Sequence, residues 1–177
     1  MHSVNKIPII KRAELLGELL KVKDISISVA GTHGKTTTSS MLGNILYEAK
    51  LDPTLVIGGI VNKYNSNNIS GSGNIIVVEA DEFDKSFLSL NSTYSIINNL
   101  DPEHLDCYKN IKDLQNTFIK FANSIPFYGK TSINIDSLNL RKIINKINRP
   151  IKTFSIYRNA DIEASNIHYK KNITRFN

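Results

Sequence analysis

Residues 25–40 constrain this chain more than any other stretch. There the run Ile25-Ser26-Ile27-Ser28-Val29-Ala30 passes into Gly31-Thr32-His33-Gly34-Lys35-Thr36-Thr37 and on into a helical stretch. A β-branched strand that ends in a glycine loop and re-enters as a helix is the setting of a phosphate-binding loop. Glycines let backbone N–H groups converge on phosphate oxygens, and the helix N-terminus adds partial positive charge. Lys35 is placed to meet the β- and γ-phosphates, and the Thr36 hydroxyl is suited to ligate Mg²⁺. Thr37 starts the helix and is expected to donate to a phosphate. His33 admits two readings, a solvent-facing ring or a direct phosphate contact. The spacing is shorter than G-x-x-x-x-G-K-[ST], because Val29 stands five residues before Gly34 and the first glycine is Gly31.

The rest of the chain reads as the sheet such a loop requires. Residues 12–22 predict a helix through Leu15, Leu16, Leu19 and Leu20. The helix after the loop is expected to bury Met41, Leu42, Ile45, Leu46 and Ala49. LDPTLVIGG reads as a turn and a strand, and 62–74 as a polar loop rich in Asn, Ser and Gly. IIVVE at 75–79 is an apolar run of the kind found in a buried parallel strand, and YSIIN at 94–98 repeats it. An amphipathic helix follows over 110–124 through Ile111, Leu114, Phe118 and Phe121, then TSINI, a helix over 137–147, and IKTFSI. ADIEASNIHY reads as one further strand. The alternation predicts an α/β fold, a mostly parallel sheet flanked by helices in the manner of P-loop NTPases.

Two further segments carry chemistry. Glu79-Ala80-Asp81-Glu82-Phe83-Asp84 closes the apolar strand at the sheet edge where ligands bind in doubly wound folds. Four carboxylates in six residues repel one another unless a cation neutralises them, and Mg²⁺ arriving with a nucleotide fits. Glu79, nearest the strand, is the expected ligand; Asp81, Glu82 and Asp84 read rather as surface charges or hydrogen-bond acceptors behind it. The strand ending at Asn98-Asn99-Leu100 leads into Asp101-Pro102-Glu103-His104, a capped short helix that would bring His104 to the same edge.

Composition excludes other classes. The chain of 177 residues is 41% hydrophobic and 21% charged, enough for a core and unlike a disordered chain. No apolar run approaches the roughly 18 residues of a membrane span, and the first residues lack a signal-peptide core. One cysteine, Cys107, excludes an internal disulfide or a Cys-based zinc cluster. A cytoplasmic setting is therefore expected. The net charge of +6 is uneven: residues 24–108 hold four Lys against ten acids, and residues 109–177 hold thirteen Lys or Arg against four. Every motif lies in the acidic middle, so the basic end reads as a solvated surface and no nucleic acid or membrane partner is expected.

Three separated motifs, AGTHGKTTT, VVEADEFDKSF and NNLDPEHLDCY, resemble the ATP loop, metal-binding strand end and histidine segment of the Mur ligases of cell-wall synthesis. IPIIKRAELLGELL, LDPTLVIGGIV and FANSIPFYG extend the likeness over nearly the whole chain. The likeness is greatest to members that join L-alanine to UDP-N-acetylmuramate, with members that attach a whole peptide as the alternative. A non-catalytic ATP/Mg-binding module is a third reading. The resemblance implies ATP bound by residues 31–37, Mg²⁺ held by Thr36 and Glu79, and His104 at a second metal or a substrate phosphate. Lys35, Glu79 and His104 are the catalytic set it implies. It further implies that residues 1–22 belong to the junction with a UDP-binding first domain, that 23–177 form part of the central ATPase domain, and that the chain is a fragment. Phe83 stands where many of these ligases have serine, and Glu103 where aspartate is usual.

Overall fold

The computed structural model describes residues 7–61, 66–102, 107–171 and 173–177. Chain order begins with helix α1 (Arg12–Leu20), strand β1 (Ile25–Ala30), helix α2 (Lys35–Glu48) and strands β2 (Thr54–Val61), β3 (Ser66–Ile69) and β4 (Ile75–Glu79). A 3-10 segment over Phe83–Ser89 precedes β5 (Tyr94–Ile97), α3 (Ile111–Asn123), β6 (Lys130–Asn134), α4 (Leu138–Ile143) and β7 (Ile151–Ser155). Short strands β8 (Ile162–Glu163), β9 (His168–Lys170) and β10 (Ile173–Arg175) follow.

The main sheet has the order β3-β2-β4-β1-β5-β6-β7-β8. Only β3 is antiparallel, pairing Leu55 with Ile69 and Val56 with Asn68. β1 lies at the centre, with Val29 beside Glu79 of β4 on one side and beside Ile96 of β5 on the other. The chain leaves β1 toward β2 and β4 and returns to β5 on the opposite side. The end of β1 is thus the topological switch point, where an open α/β sheet forms its ligand crevice.

β4 shows why the sheet is covered on both faces. Ile76 and Val78 join one cluster with Phe87, Phe118, Phe121, Ile97 and Ile133, while Ile75 and Val77 join Val29, Leu55 and Ile57 on the other face. Period-two alternation sends neighbours to opposite layers, and here both layers are apolar. On the first face Phe87 stacks on Phe121 at 4.7 Å between centroids and meets Phe118 edge-on at 5.2 Å.

Three expectations are corrected. Met41 and Ile45 of α2 are 62% and 61% exposed, and Ala49 is exposed too; Ser39 and Gly43 are the buried positions. A Cβ on Gly43 would lie 2.5 Å from Leu55 Cδ1, so close helix–sheet approach takes the place of the bulky stripe. Within the expected polar loop, residues 66–69 form β3, because the open edge of β2 supplies hydrogen-bond partners to a segment of little strand propensity. The single strand expected over 160–169 is two. Asn166 has φ 51° and turns the chain, so β8 pairs with β7 and β9 forms a separate hairpin with β10.

Candidate functional site

The loop over residues 31–37 is built on two glycines in left-handed backbone. Gly31 (φ 135°) runs so close to β5's exit that a Cβ would stand 3.1 Å from Asn99 N and from Asn98 Cβ. Gly34 (φ 77°) is the N-cap of α2 and offers no side chain to cap it. The first helical bond runs from Thr38 N to Gly34 O at 2.9 Å. The N–H groups of Lys35, Thr36 and Thr37 therefore face the loop without intrahelical acceptors, the arrangement that binds anions.

Residues 98–101 clamp the loop from behind. Asn99 accepts from His33 N through Oδ1 at 2.8 Å and donates from Nδ2 to His33 O at 3.1 Å. Asn98 Nδ2 donates to Thr38 Oγ1 at 3.0 Å. Thr32, 9% exposed, accepts from Asp101 N at 2.9 Å. His33 N–H is thus directed at Asn99, and its imidazole is an exposed group whose Nε2 lies 3.9 Å from Asp101 Oδ2. Thr36 and Thr37 are exposed at the mouth of the loop.

Lys35 Nζ donates to Gly31 O at 2.8 Å and to Glu82 Oε2 at 2.8 Å. Its side chain is 16% exposed and that of Glu82 only 2%. The Tyr108 hydroxyl donates to the Glu82 carbonyl oxygen, and burial, reinforced by the Glu82 carboxylate, pushes the Tyr108 phenol well above its usual range. Of the other acidic residues, Asp81 accepts from Phe83 N and Asp84 from Ser86 N, each capping a local turn. Asp84 and Lys85 both sit at positive φ, 51° and 64°, and Lys85 Nζ pairs with Asp113 at 2.9 Å.

Glu79 lies at the end of β4, half-buried, with its carboxylate across Gly58 of β2: a Cβ there would fall 2.8 Å from Oε2. Its Oε1 is buried and has no hydrogen-bond partner among the described residues. A buried carboxylate oxygen without a donor is a costly arrangement that a cation would relieve. The next glycine, Gly59, lies under Thr36, whose Cγ2 is 3.0 Å from the place of a Cβ. Adjacent glycines of β2 thereby let Thr36 and Glu79 approach the same stretch of strand. A cavity of about 290 Å³ opens there, lined by Lys35, Gly58, Glu79, Asp81, Arg12 and Leu16. Oxygen donors from one carboxylate and one hydroxyl, beside a phosphate loop, fit Mg²⁺ that keeps its other ligands from phosphate and water. His104 falls outside the described residues, as do Glu103, Leu105 and Asp106.

The structure thus brings the loop, Lys35, Thr36 and Glu79 to one sheet edge. Sequence reasoning missed the lysine partner Glu82, the Asn98–Asn99 clamp and the Gly58–Gly59 floor. Alternating acid and apolar letters cannot show which carboxylate turns inward, but a pair of glycines in an apolar strand is a signal of close approach.

Comparison with known proteins identifies the family. Residues 29–177 match the Mur ligase middle domain. A UDP-N-acetylmuramate–L-alanine ligase of Persephonella marina is 48% identical over 170 residues, covering 96% of this chain and 37% of the relative. Its counterpart in Chlorobium phaeobacteroides is 45% identical over 170 residues, covering 96% and 36%. The chain therefore spans little more than a third of the relatives it matches. Among solved structures, a UDP-N-acetylmuramate:L-alanyl-gamma-D-glutamyl-meso-diaminopimelate ligase from Neisseria meningitides superposes with TM-score 0.78 at 25% identity, covering 92% of this chain and 55% of that one. The UDP-N-acetylmuramate-alanine ligase of Thermotoga maritima gives 0.72 at 25% identity, covering 87% and 34%. With a match that takes in all but the first 28 residues, this chain belongs to the Mur ligase middle-domain family.

Proposed function

We propose that the chain is the nucleotide-handling part of an ATP-dependent ligase that adds L-alanine to UDP-N-acetylmuramate. The observation that carries this reading is the meeting of an open helix N-terminus, Lys35 and a partnerless Glu79 oxygen at the switch point of the sheet. The relatives at 40–48% identity support the choice of acid and amine.

In this reading the N–H groups of Lys35, Thr36 and Thr37 bind phosphate oxygens, and the Lys35 ammonium offsets charge on the transferring group. Thr36 and Glu79 would hold Mg²⁺, which when bound draws electron density from the phosphoryl oxygens. His104 is assigned to a second metal or a substrate phosphate. The substrate carboxylate oxygen attacks the γ-phosphorus as the bond to the β-bridging oxygen breaks, giving ADP and an acyl phosphate. The alanine amine then attacks the acyl carbon, phosphate departs, and the nitrogen loses a proton to leave the amide. Residues 1–22 are assigned to the junction with a first domain and 23–177 to the central domain. No helix of the described residues is long and apolar enough to cross a membrane, and the use of ATP supports a cytoplasmic location.

Calorimetric titration of the chain with MgATP, beside Lys35→Ala, tests the loop. Binding by the wild type and at least a hundredfold loss in the variant is the expected result, since a buried charge-assisted contact and its electrostatics are removed together. Wild-type affinity in Lys35→Ala would refute the assignment. A second reading, a ligase that attaches a whole peptide, is favoured by the 0.78 superposition. Turnover of L-alanine against the tripeptide, by the protein that carries this segment, decides between them. Binding with neither turnover would leave a nucleotide-binding module.

A further inference from the structure

Among the described residues, Glu82 is the most deeply buried acidic side chain at the site, with 1% of its surface exposed. Its position is imposed by the backbone. The Tyr108 hydroxyl fixes its carbonyl oxygen, and Asp81 and Asp84 tie the flanking residues into turns. The carboxylate is thereby delivered to Lys35 Nζ at 2.8 Å, while Gly31 O takes another of the ammonium hydrogens at the same distance. Two of the three donors of Lys35 are committed inside the protein.

We propose that Glu82 is the resident counter-anion of the phosphate-loop lysine: it neutralises Lys35 in the ligand-free chain, competes with the nucleotide phosphates for it, and so sets how fast nucleotide leaves. This rests on the reading of residues 31–37 as a nucleotide loop. The sign follows from a thermodynamic cycle. Stripping a buried ammonium of its carboxylate is strongly unfavourable when nothing replaces it. In the liganded chain the phosphates replace it, so removal of the carboxylate raises the free energy of the ligand-free chain more, and binding tightens. Like-charge repulsion between Glu82 and the incoming phosphates acts in the same direction. The opposing effect is a lysine less firmly held, but Gly31 O still anchors Nζ in the variant, so the charge effect is the larger.

The test uses Glu82→Gln, which keeps the shape and one acceptor oxygen, alongside Glu82→Ala. Calorimetry and stopped-flow with MgADP are expected to show about tenfold tighter binding for Glu82→Gln, mainly through slower dissociation. The variant should melt lower than wild type without nucleotide and gain a larger upward shift with it. Equal or weaker affinity in Glu82→Gln, with the wild type binding, overturns this inference alone. Absence of MgADP binding by the wild type overturns the nucleotide reading and this inference with it. A readout free of nucleotide and of the variant's folding is acetylation of the wild-type chain by acetic anhydride, followed by mass spectrometry. Lys35 should react several-fold more slowly than exposed Lys50, and Glu82→Gln should raise Lys35 selectively, where general loosening would raise all lysines. Lys35 reacting as fast as Lys50 in the wild type overturns the proposal.

Discussion

Asn99 shows how much a single uncharged residue can do for a loop. Its amide satisfies both the N–H and the carbonyl of His33, so the backbone of the phosphate loop is already set before any ligand arrives. Preorganisation of this kind spares the ligand the entropy of ordering the loop. Asn99→Ala removes two neutral hydrogen bonds worth about 1 kcal/mol each, so nucleotide affinity should fall by up to about thirtyfold and the melting temperature by a few degrees. A titration showing unchanged affinity would mean that the loop holds its shape without the clamp. Glycine works at the same scale by what it lacks. Gly58 and Gly59 give Glu79 and Thr36 room over β2, where a methyl group at 58 would press on the Glu79 carboxylate.

Among the elements, α1 and the Phe83–Ser89 segment hold the acidic strand end against the body of the protein. Gly17 of α1 makes that packing possible, since a Cβ would lie 2.3 Å from the Ser89 carbonyl oxygen. Gly17→Ala gains about 1 kcal/mol in helix propensity but forces α1 off a backbone oxygen that cannot give way. A net loss of about 1–2 kcal/mol is expected, read as a lower denaturation midpoint. Truncation at the aromatic cluster is costlier. Phe87 is 1% exposed and touches both Phe118 and Phe121, so Phe87→Ala should destabilise by about 3–5 kcal/mol in chemical denaturation. Because Phe87 sits five residues after Glu82, that variant should also loosen the Lys35 pair; full protection of Lys35 from acetylation in Phe87→Ala would show the two to be independent.

For the molecule as a whole, acid is the informative perturbation. Hydrogen bonds from Thr153, first from its backbone N–H and then its hydroxyl, hold Asp161 at a pKa of about 2. Asp113, through Lys85, and Asp52, through the Ser72 hydroxyl, are lowered as well. Carboxyls depressed in the folded chain stabilise it above their unfolded value of about 4, and that contribution fades as pH falls through the folded value. Stability should therefore be level down to about pH 5 and decline between about pH 4 and pH 2. Asp161→Asn should flatten part of that decline and lower the midpoint at pH 7. An unchanged acid profile would show that the β7–β8 edge contributes nothing to global stability.

The alternation of apolar strands with helices, the glycine turn between β1 and α2 and the run of carboxylates after β4 are all local patterns, and each is legible in the letters because it needs certain residue types at fixed spacing. The stripe Ile111, Leu114, Phe118, Phe121 became α3 as its period requires, and IIVVE became a strand buried on both faces. What the letters could not carry was decided by contacts between residues far apart in the chain. Met41 and Ile45 look like core, yet α2 lies on Gly43 because Leu55, twelve residues on, fills the space. Ser66–Ile69 became a strand because an edge of β2 was open, and Glu82, one acid among four, became the partner of Lys35 because the turn after β4 points it inward. Periodicity fixes which face of an element is apolar; only three-dimensional packing chooses which charged group is taken out of water and which partner meets it there.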